Sequence, residues 1–208
     1  MTPEAVRLQK EGRVWLRGAL SPCEVDCLAR LTDLDDKPGA RHGRTSALYR
    51  AVESSELTKR LNDHWPKVRM QRLVSFNKSA SANWRLPWHQ DRVIAMDRKV
   101  VDPKFGKWSR KAGIWHCEPP IDVLQQMLFV RLHLDDADAD NGAMEIALCS
   151  HLEGAIPKVE AKAVAARFQT EVTSAKSGDV LVLAMLILHR SRPSDSQGNR
   201  RVLRADFA

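Results

Sequence analysis

From residue 68 to its C-terminus the chain repeats one pattern: short apolar runs rich in Val, Leu and Ile, cut apart by turn-forming residues. The runs lie at 68–76, 127–134, 143–148, 171–173, 180–188 and 201–207. Asp140-Asn141-Gly142 and Ser177-Gly178-Asp179 are the clearest breaks between them, since Gly, Asn and Asp tolerate the backbone angles of tight turns. Runs of this length suit strands and fall well short of the ~20 apolar residues a membrane helix needs. Many short strands predict a mainly β fold, closed or double-sheeted, with flanking α-helices.

The helices belong to the N-terminal part. After a short strand at 13–16, Ser21-Pro22-Cys23-Glu24 opens a helix: Ser21 caps it, Pro22 takes the first helical position and Glu24 closes a capping box. Val25, Leu28 and Leu31 form its apolar face,. A polar turn at 35–43 leads to a second helical stretch at 55–65. Segment 98–120 contains Gly and Pro breaks and two tryptophans, Trp108 and Trp115, and reads as a long irregular insertion,. With no repeat or linker, the 208 residues read as one domain, helical over about 20–65 and a barrel over about 68–208.

Charge narrows the partners. Lys and Arg number 33 against 26 acids, for a net charge of +7. The basic residues are scattered and carry no nucleic-acid motif, so neither nucleic acid nor membrane is the expected partner. A plain basic surface is one remaining reading, and arginines that face inward to hold an anionic small molecule are the other. Residues 1–13 lack the apolar core of a secretory signal, and the four cysteines do not form a disulfide framework. Reduced thiols and a cytoplasmic location are expected, with no obligate protein partner evident.

Two sequence features bear on chemistry. In Trp88-His89-Gln90-Asp91, His89 and Asp91 point to the same side of an extended chain and can converge on one ion,. A lone His-x-Asp is a weak signal. His189, straight after Leu186-Ile187-Leu188 at the end of the most apolar run, sits where a barrel mouth would place it. Two histidines and a carboxylate make the facial triad of non-haem Fe(II) enzymes, which leaves coordination positions open. Arg200 and Arg201 follow on the next strand and can return beside the metal to bind a carboxylate in bidentate fashion,.

In order and spacing these pieces resemble the phytanoyl-CoA dioxygenase family of Fe(II)- and 2-oxoglutarate-dependent oxygenases. The matching pieces run from Gly12-Arg13-Val14-Trp15-Leu16 through Asn77-Lys78, the Trp88–Asp91 motif, Arg131-Leu132-His133-Leu134-Asp135-Asp136 and Ser150-His151. They end with His189-Arg190-Ser191 and Asn199-Arg200-Arg201-Val202-Leu203. The resemblance implies a double-stranded β-helix, a cupin-like jelly-roll barrel. It also implies iron on His89, Asp91 and His189, and 2-oxoglutarate and dioxygen as co-substrates. Arg200 would hold the distal carboxylate of 2-oxoglutarate and Ser191 would donate a further hydrogen bond. Arg131 and Val74 occupy positions that line the co-substrate pocket in relatives. Arg72, on the same strand face as Val74, would meet an anionic end of a small-molecule substrate.

Other readings stand beside this one. Trp84, Trp88, Trp108 and Trp115 either pack the core or wall the substrate pocket, with Trp88 and Trp108 the chosen wall residues. Arg190 and Arg192, where relatives usually have a small residue after the histidine, either widen a positive mouth or face solvent. The same triad would suit a zinc hydrolase or a metal-binding sensor module. His133 and His151 are weaker ligand candidates, and the acidic turn at 135–140 lacks the spacing of a known calcium loop,.

Overall fold

The computed structural model describes residues 1–32, 37–111, 113–196 and 198–208. Four helices precede or flank the first long strand: α1 (Pro3–Glu11), α2 (Pro22–Leu31), α3 (Ala47–Glu53) and α4 (Glu56–His64). Each starts on a hydroxyl cap, Thr2, Ser21, Ser46 and Ser55 respectively, which accepts an otherwise orphaned backbone N–H,. The capping box at Ser21 and Glu24 forms as expected. Helices α1 and α3 are additions to the sequence reading. The short helices α5 (Ile121–Gln126) and α6 (Ala161–Ala165) follow later. Among the described residues no helix is long and apolar enough to cross a membrane.

The strands in chain order are β1 (Arg13–Leu16), β2 (Gly39–His42), β3 (Met70–Lys78), β4 (Leu86–His89), β5 (Ile94–Met96), β6 (Gly106–Lys111) and β7 (Ile114–Glu118). They continue with β8 (Leu128–His133), β9 (Met144–Ala147), β10 (Thr170–Val172), β11 (Val180–Ala184), β12 (His189–Ser191) and β13 (Arg200–Phe207). Two antiparallel sheets make the double-stranded β-helix: a major sheet in the order β1-β11-β8-β13-β3-β2 and a minor sheet β10-β9-β12-β4.

Strand alternation divides the major sheet into two environments. Leu73, Val130, Leu132, Leu203, Ala205 and Phe207 point outward into one core with Leu28, Leu48, Tyr49, Leu57 and Leu61 of the helices. Phe129, Leu181 and Leu183 point inward and meet Ile146 and Ile187 from the minor sheet side. Further along the same inner face the residues change character: Arg72, Val74, Phe76, Arg131, Arg200 and Arg204 line an open cavity.

Three expectations are revised. Segment 98–120 is not irregular for most of its length: β6 and β7 pair, and with β5 they form a separate three-stranded sheet. The 35–43 turn contains an edge strand, β2, pairing with β3, while residues 35 and 36 lie outside the described residues. The 180–188 run is not one strand either. β11 ends at Ala184, Ile187 N–H turns back to the Ala184 carbonyl at 3.1 Å, and the chain crosses between sheets. His189 therefore opens β12 in the minor sheet instead of closing β11.

Candidate metal and co-substrate site

His89 ends β4 and His189 begins β12, and the two are direct partners in the antiparallel register. Opposed residues share a face, so the rings meet with centroids 4.3 Å apart. Asp91, two residues beyond His89, joins them: one ligand atom from each of His89, Asp91 and His189 lies within 4.8 Å of the others. The His189 Nε2 to Asp91 Oδ2 distance is 3.3 Å.

The backbone selects the tautomers. His89 Nδ1 lies 2.7 Å from the Pro87 carbonyl and His189 Nδ1 lies 3.0 Å from the Ile187 carbonyl. A carbonyl only accepts, so Nδ1 carries the proton in both rings and Nε2 is the lone-pair nitrogen, the arrangement of a metal-ligating imidazole. Burial and the neighbouring His189 lower the His89 pKa and favour its neutral form. Burial would raise the Asp91 carboxyl, but the Arg204 charge and the His189 contact outweigh it and hold the group well below the usual carboxylate range. Two imidazoles with Nε2 turned to the cluster and an ionised carboxylate fit a divalent metal.

The adjoining cavity measures about 530 Å³ and is lined by both histidines, Asp91 and a set of arginines. Arg200 is 3% exposed. Its Nε donates to the Asn141 carbonyl at 3.1 Å, while one terminal nitrogen is buried with no partner among the described residues. Burial pulls its pKa to about 10. Arg131 is buried too, its Nε without a partner among the described residues, and burial together with Arg200 and Arg204 lowers its pKa to about 9. Uncompensated guanidinium groups inside a fold are unfavourable unless an anion arrives. They fit 2-oxoglutarate, a dianion.

Ser191 lies on β12 at the cavity wall, its Oγ accepting from Lys78 Nζ at 2.8 Å. Lys78 also donates to the carbonyls of Arg192 and Gly142. Val74 lines the cavity beside Arg204 in the register. Arg72 lines it as well and donates to Asp206 Oδ2 at 2.6 Å.

The tryptophans divide differently from expectation. Trp88 alternates with His89 on β4, faces away, and packs with Ile156, Ala161 and Leu188. Trp108, on β6 of the separate sheet, stacks on Phe105 and meets Trp115 edge-on. Neither lines the cavity, whereas Trp84 does. Arg190 and Arg192 both pair with Glu145, at 2.7 and 2.6 Å. His133 is a core residue, its Nδ1 on the Asp179 carbonyl and its pKa pushed down to about 3, chiefly by burial. His151 bonds the Gln9 carbonyl of α1, so neither joins the triad.

The sequence reading assigned no role to Arg204, Asp206 or Lys78. Alternation along β13 carried the signal for two of them: Arg200, Arg204 and Asp206 share one face while Leu203, Ala205 and Phe207 take the other,. A charged set opposite an apolar set on a C-terminal strand points to a polar interior.

The family profile of phytanoyl-CoA dioxygenase (PhyH) matches residues 8–202. No curated protein sequence matches the chain. Similar solved structures include EctD from S. alaskensis in its apoform, at TM-score 0.71 and 14% identity, covering 100% of this chain and 76% of that one. SnoN, a non-haem α-ketoglutarate-dependent epimerase of nogalamycin biosynthesis, aligns at TM-score 0.68 and 16% identity, over 99% and 80% of the two chains. HygX from Streptomyces hygroscopicus, crystallised with nickel, 2-oxoglutarate and hygromycin B, aligns at 0.65 and 18%, over 100% and 87%. The fold is shared with these proteins, the profile spans most of the sequence, and the metal-ligand chemistry agrees: the chain belongs to the phytanoyl-CoA dioxygenase family of non-haem iron, 2-oxoglutarate-dependent enzymes.

Proposed function

We propose that the protein hydroxylates a small anionic or polar molecule, converting 2-oxoglutarate to succinate and carbon dioxide. One observation carries this reading: partnerless, buried guanidinium nitrogens on Arg131 and Arg200 beside the His89, Asp91 and His189 cluster. In a zinc hydrolase those nitrogens would have no task.

His89, Asp91 and His189 would hold Fe(II), and Arg200 the distal carboxylate of 2-oxoglutarate, with Arg131 and the Ser191 hydroxyl as further donors. Val74 shapes the wall. When bound, iron with 2-oxoglutarate and dioxygen supplies an oxidant able to attack a C–H bond. The protein's contribution is to hold the reactants in register, orient the imidazoles and limit water around them.

Charge favours an anionic substrate. Arg72, Arg131, Arg200 and Arg204 face the cavity against the carboxylates of Asp91 and Asp206. Fe(II) and the 2-oxoglutarate dianion cancel one another, so the positive surplus persists with both in place. Arg72, at the wall, would meet the anionic end, with Trp84 and Phe76 as the aromatic surface instead of Trp88 or Trp108. The free thiols, two of them exposed on α2, suit a cytoplasmic setting.

Anaerobic Fe(II) titration in the presence of 2-oxoglutarate tests the reading through the visible metal-to-ligand charge-transfer band. The band should form with the wild-type chain and weaken in His189→Ala and Arg200→Ala. Metal binding without a band would remove 2-oxoglutarate from the scheme, and absence of metal binding would remove the site.

A further inference from the structure

The three candidate ligands are not held in the same way. His89 and His189 each lie on a strand and orient their rings through a carbonyl two residues earlier. Asp91 lies past the end of β4. Among the described residues, its only side-chain hydrogen-bond donor outside the imidazoles is Arg204, through Nη1 to Oδ2. That is the same oxygen that faces His189 Nε2 at 3.3 Å.

Arg204 is itself fastened. It is 5% exposed, its Nε donates to Asp206 Oδ1 at 2.8 Å, and its guanidinium lies 3.9 Å from the centroid of the Phe129 ring. Asp206 is 1% exposed and its other oxygen takes the Arg72 Nε at 2.6 Å. The register of β13 builds this row: Arg204 sits opposite Arg131 and Val74, and Asp206 opposite Phe129 and Arg72. The result is a chain of alternating charge, Arg72–Asp206–Arg204–Asp91, running from the substrate wall to the metal ligand. A planar guanidinium clamped on one side by a carboxylate and beneath by a ring presents its remaining nitrogens in a fixed direction.

We propose that Arg204 is a positioning residue for Asp91. Held by Asp206 and Phe129, it stops the carboxylate from rotating and keeps Oδ2 beside the imidazole nitrogens. The proposal rests on the reading of His89, Asp91 and His189 as metal ligands.

Two substitutions separate positioning from simple electrostatics. Arg204→Met removes a cation next to the site, which on charge alone favours a divalent metal. Arg204→Lys keeps the charge but loses the planar fork, so on charge alone it changes nothing. Positioning predicts weaker metal binding in both, by about 10- to 100-fold, the usual consequence of losing an outer-shell partner. The probe is Co(II), titrated anaerobically into the full-length apoprotein, with affinity from calorimetry and ligand geometry from the cobalt d–d spectrum. The expected result is a lower affinity with an altered spectrum in both variants. Unchanged or tighter Co(II) binding with a wild-type spectrum overturns the proposal. Apoprotein thermal unfolding is measured in parallel, and if Arg204→Met does not fold, Arg204→Lys decides by the same criterion. Failure of the wild-type chain to bind Co(II) would instead refute the metal-site reading on which the proposal depends.

Discussion

Arg200 offers a test in which stability and ligand affinity move in opposite directions. In the unliganded site its pKa is held at about 10 by burial, which corresponds to about 3 kcal/mol against the charged form. The partnerless terminal nitrogen is the local source of that penalty, since a buried donor without an acceptor costs about 1–3 kcal/mol. Arg200→Met removes the charge and keeps most of the volume. It also loses the 3.1 Å bond from Nε to the Asn141 carbonyl, worth about 1 kcal/mol. The balance favours the variant by about 1–2 kcal/mol in the apoprotein, a rise of about 2–8 °C in Tm for a chain of this size. Removing one partner of a buried charged pair costs about 2–5 kcal/mol of binding, so 2-oxoglutarate affinity should fall by about 30-fold to several thousand-fold. Calorimetric melting of the apoprotein and titration of the Mn(II)-loaded protein with 2-oxoglutarate read both quantities. A variant that melts lower than wild type while binding 2-oxoglutarate normally would make Arg200 a structural residue and refute the reasoning.

Two further predictions address neighbouring residues. Arg72→Ala should reduce substrate-dependent turnover more than substrate-free 2-oxoglutarate decay, and should destabilise the fold by about 3 kcal/mol because the buried Asp206 loses one of its two ionic partners,. Equal loss of both activities, measured as succinate release, would assign Arg72 to the charge row and not to substrate. Lys78 is depressed to about 8 by burial and by the nearby Arg200 and Arg131. The unfolded chain therefore binds more protons than the folded one between about pH 8 and pH 10, and stability contributed by this residue rises with pH across that window. Lys78→Met should flatten that rise in urea midpoints taken at pH 7.5 and 9.5; parallel pH dependences would refute it.

How much was legible depends on whether a feature is encoded locally. The Ser21 capping box and the apolar strands around β3, β8 and β13 follow from neighbouring residues, since caps and alternation act over a few positions,. The helices α1 and α3 also carry caps, at Thr2 and Ser46, local signals that the sequence reading passed over. Within 98–120, glycine and proline masked two neighbouring strands, β6 and β7, that pair with each other, while β5 joins β7 from before the insertion. The run at 180–188 is apolar throughout because both of its halves are buried, β11 in one sheet and the turn beneath the other. Hydrophobicity alone therefore does not reveal the crossing at Ala184.

The same division applies to the site. Sequence by itself determined the family's order of motifs, the candidate ligands His89, Asp91 and His189, and the arginine after the second histidine, because each is a residue type at a set spacing. Only the tertiary structure decided that Trp84 lines the cavity while Trp88 and Trp108 turn away. It alone showed that Arg190 and Arg192 are tied to Glu145, and that Arg204 reaches from the major sheet to Asp91, just past the end of β4. These outcomes depend on strand register and on which inner-face charges find a partner. Register is a property of two strands at once, and a buried charge selects its partner by three-dimensional distance, neither of which a single stretch of sequence contains.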